Sequence, residues 1–155
     1  MSALYFEDFE VGAEYVTTGR TIAEADILQF AALTGDWNQL HTDEEYSRAA
    51  PYGGRIAHGL FGLALMEGMK YRLGHTDGTA IASLGWTVKF VLPIHIGDTV
   101  RVRYRIAAKR ETRHAERGIV TEAVYLLNQR GEVVTEAEHL LMLRRRPGQP
   151  APPAA

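Results

Sequence analysis

Hydrophobic and polar residues change their rhythm about halfway along the chain. Val11-Gly12 marks a turn, and Glu14 to Thr18, rich in β-branched and aromatic residues, reads as a short strand. Thr21-Ile22-Ala23-Glu24 has the hydroxyl-then-glutamate spacing of a capping box. The apolar positions Ile22, Ala25, Ile27, Leu28, Phe30, Ala31 and Ala32 then recur at helical spacing up to about Leu33, and Thr34-Gly35-Asp36 supplies the stop. A long polar stretch from Asp36 to His58 follows. Within it Thr42-Asp43-Glu44-Glu45 predicts a short helix towards Ala50, ended by Pro51, Gly53 and Gly54. His58-Gly59-Leu60 opens the most apolar helix, predicted over about 58–73, and Gly74 to Gly78 end it. From there the period becomes two. Segments 79–91, 99–108, 118–127 and 132–143 read as strands, with turns at Gly97-Asp98, Glu111–Arg117 and Asn128–Gly131. In the second of these Val100, Val102, Tyr104 and Ile106 alternate with Arg101, Arg103 and Arg105, the pattern of a strand with one wet face. Helices followed by strands predict an α+β domain with an antiparallel sheet.

The length, 155 residues, suits one domain, and a 46% hydrophobic, 23% charged composition suits a folded core rather than a disordered chain. Seventeen Lys and Arg against nineteen Asp and Glu leave a formal charge of -2, so no general nucleic-acid binding is expected. With no cysteine, disulfides, thiolate-zinc sites and cysteine nucleophiles are excluded. The acidic first ten residues do not read as a signal peptide, and Leu60 to Met69, interrupted by Gly62, Glu67 and Gly68, is too short for a membrane span. A cytoplasmic protein without a membrane anchor is expected. The stretch 144–155, with three arginines and four prolines, is expected to be a disordered tail beyond a domain at 1–143.

A long connection in a compact domain is usually functional or disordered. Here it holds aromatic, amide, carboxylate and imidazole groups, which favours function. Asp36 and His41 are five residues apart, with Asn38 between them. In a turn after a helix end both can point into one pocket and share the handling of a water molecule as acid and base. The same spacing also fits a plain Asx-turn, with His41 packed at the core edge.

The run Gly35-Asp36-Trp37-Asn38-Gln39-Leu40-His41 resembles the signature of the MaoC-like, or (R)-specific, enoyl-CoA hydratases. That pattern is a small residue, Asp, any residue, Asn, usually Pro, an aliphatic residue and His. The resemblance continues through Arg55-Ile56-Ala57-His58-Gly59-Leu60 and through Phe90 to Val100, and covers about residues 5 to 143. It implies a hotdog fold, an antiparallel sheet wrapped around the long helix, and at least a homodimer. It implies reversible addition of water to a trans-2-enoyl-CoA, with coenzyme A arriving only as part of the substrate and no redox or metal cofactor. Asp36 and His41 would hold the water, and the Gly59 N–H would face the thioester oxyanion. Asn38 would orient the pair or close the turn, and Trp37 would line the acyl pocket. His58, at the helix start, and Glu67, on the helix, complete the candidate substrate-binding set.

Two positions depart from the family pattern. Gln39 stands where proline is usual, which is expected to loosen the loop without removing chemistry. Glu67 stands where some members have a serine, and a carboxylate facing the thioester would permit hydrolysis by a hotdog thioesterase route. A non-catalytic acyl-CoA-binding module is the remaining alternative. No histidine pair has zinc-helix spacing, so no metal is expected. His95 reads as structural, Trp86 as core or interface, and His75, His114 and His139 as turn or sheet-surface residues. The face formed by Arg101, Arg103 and Arg105 is expected to be solvated, with Arg48 and Arg55 as alternative phosphate contacts.

Overall fold

The computed structural model describes residues 3–148. A 3-10 turn at Phe6–Asp8 leads into strand β1 (Glu14–Val16) and the two-residue strand β2 (Arg20–Thr21). Helices α1 (Glu24–Thr34), α2 (Gln39–Thr42), α3 (Glu44–Ala49) and α4 (Gly59–Tyr71) follow, and then strands β3 (Ala80–Phe90), β4 (Thr99–Glu111), β5 (Arg117–Leu127) and β6 (Val133–Arg144). All pairings are antiparallel, in the order β1-β4-β5-β6-β3, with β2 also on β4. The sheet curves around α4, which gives the hotdog arrangement.

Periodicity accounts for the packing. Phe61, Gly62, Leu65, Met66, Met69 and Lys70 form the buried stripe of α4, at the spacing of one helical face. They lie against the inward row of β4 (Val100, Val102, Tyr104, Ile106) and of β5 (Val120, Val124, Leu126). Arg101 and Arg105 stay exposed on the outer side, and Arg103 lies 5.3 Å from the Tyr125 ring, so the basic face is the wet face.

Both helix starts differ from the expected capping boxes. Thr21 belongs to β2, where its hydroxyl meets Thr99 at 2.8 Å, so it cannot cap α1. Asp26 instead accepts from the Ala23 N–H at 2.9 Å. Asp43, not Thr42, caps α3 by accepting from Tyr46 N–H at 3.0 Å, because Thr42 closes α2. The stop of α1 is as expected: Gly35 takes a left-handed conformation, φ 78°, which glycine adopts without steric cost. β6 runs to Arg144, and Arg145 and Arg146 pair with Glu7, Glu111 and Asp8. Strand β6 thus ends one residue beyond position 143, and residues 149–155 of the expected tail lie outside the described residues.

The interior also holds charge that the strand pattern concealed. His139 is fully buried, not on the sheet surface: its Nδ1 donates to Glu122 at 2.8 Å, its Nε2 meets Ser83 Oγ at 2.8 Å, and Trp86 stacks on it at 3.9 Å. Lys70 Nζ donates to the same Glu122 carboxylate. His75 is buried as well, 2.7 Å from the Tyr104 hydroxyl, and burial lowers its pKa. Burial would raise the Glu122 carboxyl, but the His139 hydrogen bond and the Lys70 charge outweigh it and hold it below the ordinary carboxylate range. Its contribution to stability is present above that range and lost as pH falls through the lowered value. Removing one partner of a buried charge pair leaves the other uncompensated. Lys70→Met is expected to cost about 3–5 kcal/mol in urea unfolding, while a loss under about 1 kcal/mol would contradict this account of the cluster.

Candidate active site

The motif residues converge where the α1–α2 connection meets the start of α4. After Gly35 the chain turns, and the Asp36 carboxylate accepts from Asn38 N–H at 3.3 Å. The Asn38 side chain accepts from Leu40 N–H at 3.0 Å and caps α2, so Asn38 closes the turn. Only the side-chain oxygen is engaged in this way, and the amide donors stay on the exposed side of the turn. Gln39 takes the first helical position, where proline is also at home. Its backbone carbonyl accepts from the buried Ser47 hydroxyl at 3.0 Å, a bond that a proline at this position would accept equally.

His41, on α2, donates from Nδ1 to the Ile56 carbonyl at 2.7 Å. A carbonyl can only accept, so the proton sits on Nδ1 and Nε2 keeps a free lone pair. Burial lowers the His41 pKa below the usual imidazole value, outweighing the Ile56 hydrogen bond and the Asp36 charge, which act upward. The neutral, proton-accepting form therefore persists to lower pH than in a free histidine.

His58 links the Asp36 turn to the His41 ring. It is 2% exposed, donates from Nε2 to the Asp36 carbonyl at 2.9 Å, and its ring lies on the His41 ring at 3.8 Å. One ligating atom from each of Asp36, His41 and His58 falls within 4.8 Å of the others, a spacing that a divalent cation could bridge. The hydrogen-bonding pattern opposes that use: His58 Nε2 is engaged as a donor, and its Nδ1 is buried. Histidine spacing in the sequence could not reveal this cluster, because its members come from three separate elements.

Gly59 is the first residue of α4, so its N–H has no intrahelical partner and carries the positive end of the helix dipole. A Cβ there would lie 2.8 Å from the Phe90 ring, so only glycine lets the chain approach this closely. His41 and Gly59 both line a cleft of about 210 Å³. Its other walls include Tyr52, Phe90, Ile94 and Thr135, none of which the motif reading singled out. Phe90 and Ile94 lie in the segment that resembles the family, and only the closure of β3 and β6 around α4 turns them into walls.

Two expected residues lie elsewhere. Trp37 is 55% exposed and does not line the cleft. Glu67 sits eight residues beyond Gly59 on α4, a rise of about 12 Å, and its half-exposed side chain pairs with Lys70 at 3.3 Å. It is not among the residues that line the cleft. Arg55 is held by Glu24 and Glu44, both at 2.8 Å, and Arg48 by Glu44 at 3.0 Å, so neither is a free phosphate ligand. The backbone N–H of His95 donates to Asp98 at 2.8 Å, and His95 is not among the residues that line the cleft.

Residues 8–126 match the model of the MaoC like domain. The chain is 33% identical over 147 residues to a 3-hydroxybutyryl-CoA dehydratase of Methylorubrum extorquens, across 94% of this chain and 88% of that protein. It is 30% identical over 148 residues to an (R)-specific enoyl-CoA hydratase of Rhodospirillum rubrum, across 92% and 93% of the two chains. A MaoC-like dehydratase structure from Rhodospirillum rubrum superposes with a TM-score of 0.83 at 29% identity, across 94% of this chain and 99% of that one.

The site geometry makes an NMR prediction. Titration of the His41 ring is expected to give a midpoint below the ordinary imidazole value of about 6.5, and a midpoint at or above it would contradict the burial argument.

Proposed function

The chain belongs to the MaoC-like domain family, and we propose on that footing that it is a hydro-lyase adding water reversibly across the C2=C3 bond of a trans-2-enoyl-CoA, with a (3R)-3-hydroxyacyl-CoA as product. The observation that carries this reading is the meeting of a proton-free His41 Nε2 and the Gly59 N–H at one cleft, with an Asp36 carboxylate oxygen within 4.8 Å of a His41 ring nitrogen.

The chemistry follows from those three groups. A water molecule lies between Asp36 and His41. Asp36 accepts one of its O–H bonds and holds it in place. His41 Nε2 takes the other proton as the oxygen bonds to C3. The C2=C3 electron pair moves through C1 to the thioester oxygen, where the Gly59 N–H meets the developing negative charge. The imidazolium then returns its proton to C2, the carbonyl re-forms, and the enzyme regains its starting protonation state. Dehydration is the same path reversed. No step calls for redox or metal chemistry, and coenzyme A takes part only as the carrier of the acyl group. A pure binding module would need neither a lone pair nor a carboxylate aimed at one water position.

The cleft walls Phe90, Ile94, Ile56 and Ala57 are apolar, and among the described residues His41 and Tyr52 are its titratable lining groups, which suits a short uncharged acyl chain. A second copy of the chain would complete the site. β3 ends the sheet order, and Ile81, Leu84 and Phe90 on it are exposed. Pairing of two β3 strands would cover that apolar edge and bring the partner close to the cleft mouth.

Removing the acid-base pair tests the proposal. Asp36→Ala and His41→Ala are each expected to lower kcat by at least about 100-fold with near-UV and far-UV spectra unchanged. Near-normal turnover in both would refute the roles. Gly59→Ala should lower kcat by about tenfold or more by driving its methyl into Phe90, with partial recovery in Gly59→Ala/Phe90→Ala. An equal loss in the double variant would contradict the steric account. Sedimentation should give a dimer that Leu84→Lys weakens.

A further inference from the structure

The mechanism leaves the buried imidazole beside His41 unused. His58 contacts the Asp36 turn and the His41 ring, is 2% exposed, and does not line the cleft. Its Nε2–H holds the Asp36 carbonyl at 2.9 Å, across 22 residues of chain. Its ring lies against His41, centroids 3.8 Å apart and planes inclined by 31°. Phe30 of α1 packs against the same ring at 5.1 Å, and Phe30 also meets Phe61 of α4 at 5.6 Å. The His58 carbonyl accepts from Phe61 N–H at 3.1 Å and Gly62 N–H at 3.3 Å, which starts α4 and fixes where the Gly59 N–H points.

We propose that His58 is a positioning residue, an imidazole with a proton on Nε2 that fixes the Asp36 turn, the His41 ring and the start of α4 as one unit. The inference rests on the hydration reading above and goes beyond it, since that mechanism needs no second histidine.

The argument against plain core packing comes from the other ring nitrogen. His58 Nδ1 is buried and has no hydrogen-bond partner among the described residues. An unpaired buried polar atom is costly, and an aliphatic or phenyl side chain would fill the space without it. The imidazole is therefore kept for what those side chains lack, the Nε2–H donor. The Asp36 carbonyl can only accept, so the proton is committed to Nε2 and Nδ1 is left bare. The flat ring supplies the rest: it sets the plane on which His41 lies and so the direction of the His41 Nε2 lone pair. Misplacement of a reacting group by about 1 Å can cost on the order of 100-fold in rate, so a residue that never meets substrate can govern turnover.

Two variants separate ring from donor, and one measurement needs no variant. His58→Phe keeps a ring and loses the donor. His58→Gln keeps an amide donor at similar reach. With crotonyl-CoA, His58→Phe is expected to lower kcat by at least about 30-fold with KM within about threefold, and His58→Gln to recover part of that loss. Wild-type kcat in His58→Phe, or a loss confined to KM, would overturn the proposal. Nitrogen-15 NMR of the wild-type chain should show His58 as the Nε2–H tautomer, with a pyridine-type Nδ1. The opposite tautomer would overturn the proposal even if neither variant folds. A wild-type chain that hydrates no enoyl-CoA would refute the proposed reaction, and the tautomer would still decide the His58 bonding.

Discussion

The buried stripe of α4 has to be covered, and the rest of the molecule is arranged around that requirement. Six residues of one helix face sit in the concavity of the sheet. Each large apolar side chain among them contributes about 1.5–3 kcal/mol when removed from water, enough together to hold the helix in one position. A 13-residue helix is about 20 Å long, so its two ends meet different surroundings. The N-terminal end emerges beside Phe90, Ile94 and Thr135 and presents Gly59 to the cleft. The C-terminal half carries Lys70 into the cluster with Glu122 and His139. Packing that secures the core thus also aims a helix N-terminus at a fixed point.

Around that fixed point two histidines are tied by the same device, a ring nitrogen donating to a backbone carbonyl. His41 bonds Ile56 through Nδ1, and His58 bonds Asp36 through Nε2. Because a carbonyl cannot donate, each bond selects a tautomer, and the selections are opposite. His41 is left with a lone pair on Nε2, which suits proton transfer. His58 is left with a bare, buried Nδ1. The carbonyls belong to the loops that the rings help to fold, so tautomer and loop conformation depend on each other.

Much of this was legible in the sequence. The change from helical spacing to period two placed the four long strands and α4 within a few residues, because each buries a continuous face. Gly35 was recognisable as a stop because a left-handed residue after a helix favours glycine. Asp36, His41 and Gly59 were found through the motif. Features set by non-local pairing were not legible. β2 is two residues long, and pairing with β4 takes Thr21 away from the helix cap. Glu122 and His139 stand at inward positions, each two residues from buried apolar neighbours, Val120 and Val124 for one and Leu141 for the other. Strand parity therefore held the signal, although the polar character of His139 by itself points to the sheet surface. Lys70, four residues from Met66 on the buried face of α4, was the matching charge.

The central claim is that the cleft hydrates an enoyl thioester rather than cleaving it. The most direct measurement follows the enoyl-thioester absorbance of crotonyl-CoA with the wild-type chain, with a thiol reagent in a parallel cuvette. The account predicts loss of the enoyl band with no free thiol, to an equilibrium also reached from (3R)-3-hydroxybutyryl-CoA. Release of coenzyme A thiol in step with the reaction, or an enoyl band left unchanged, would contradict it.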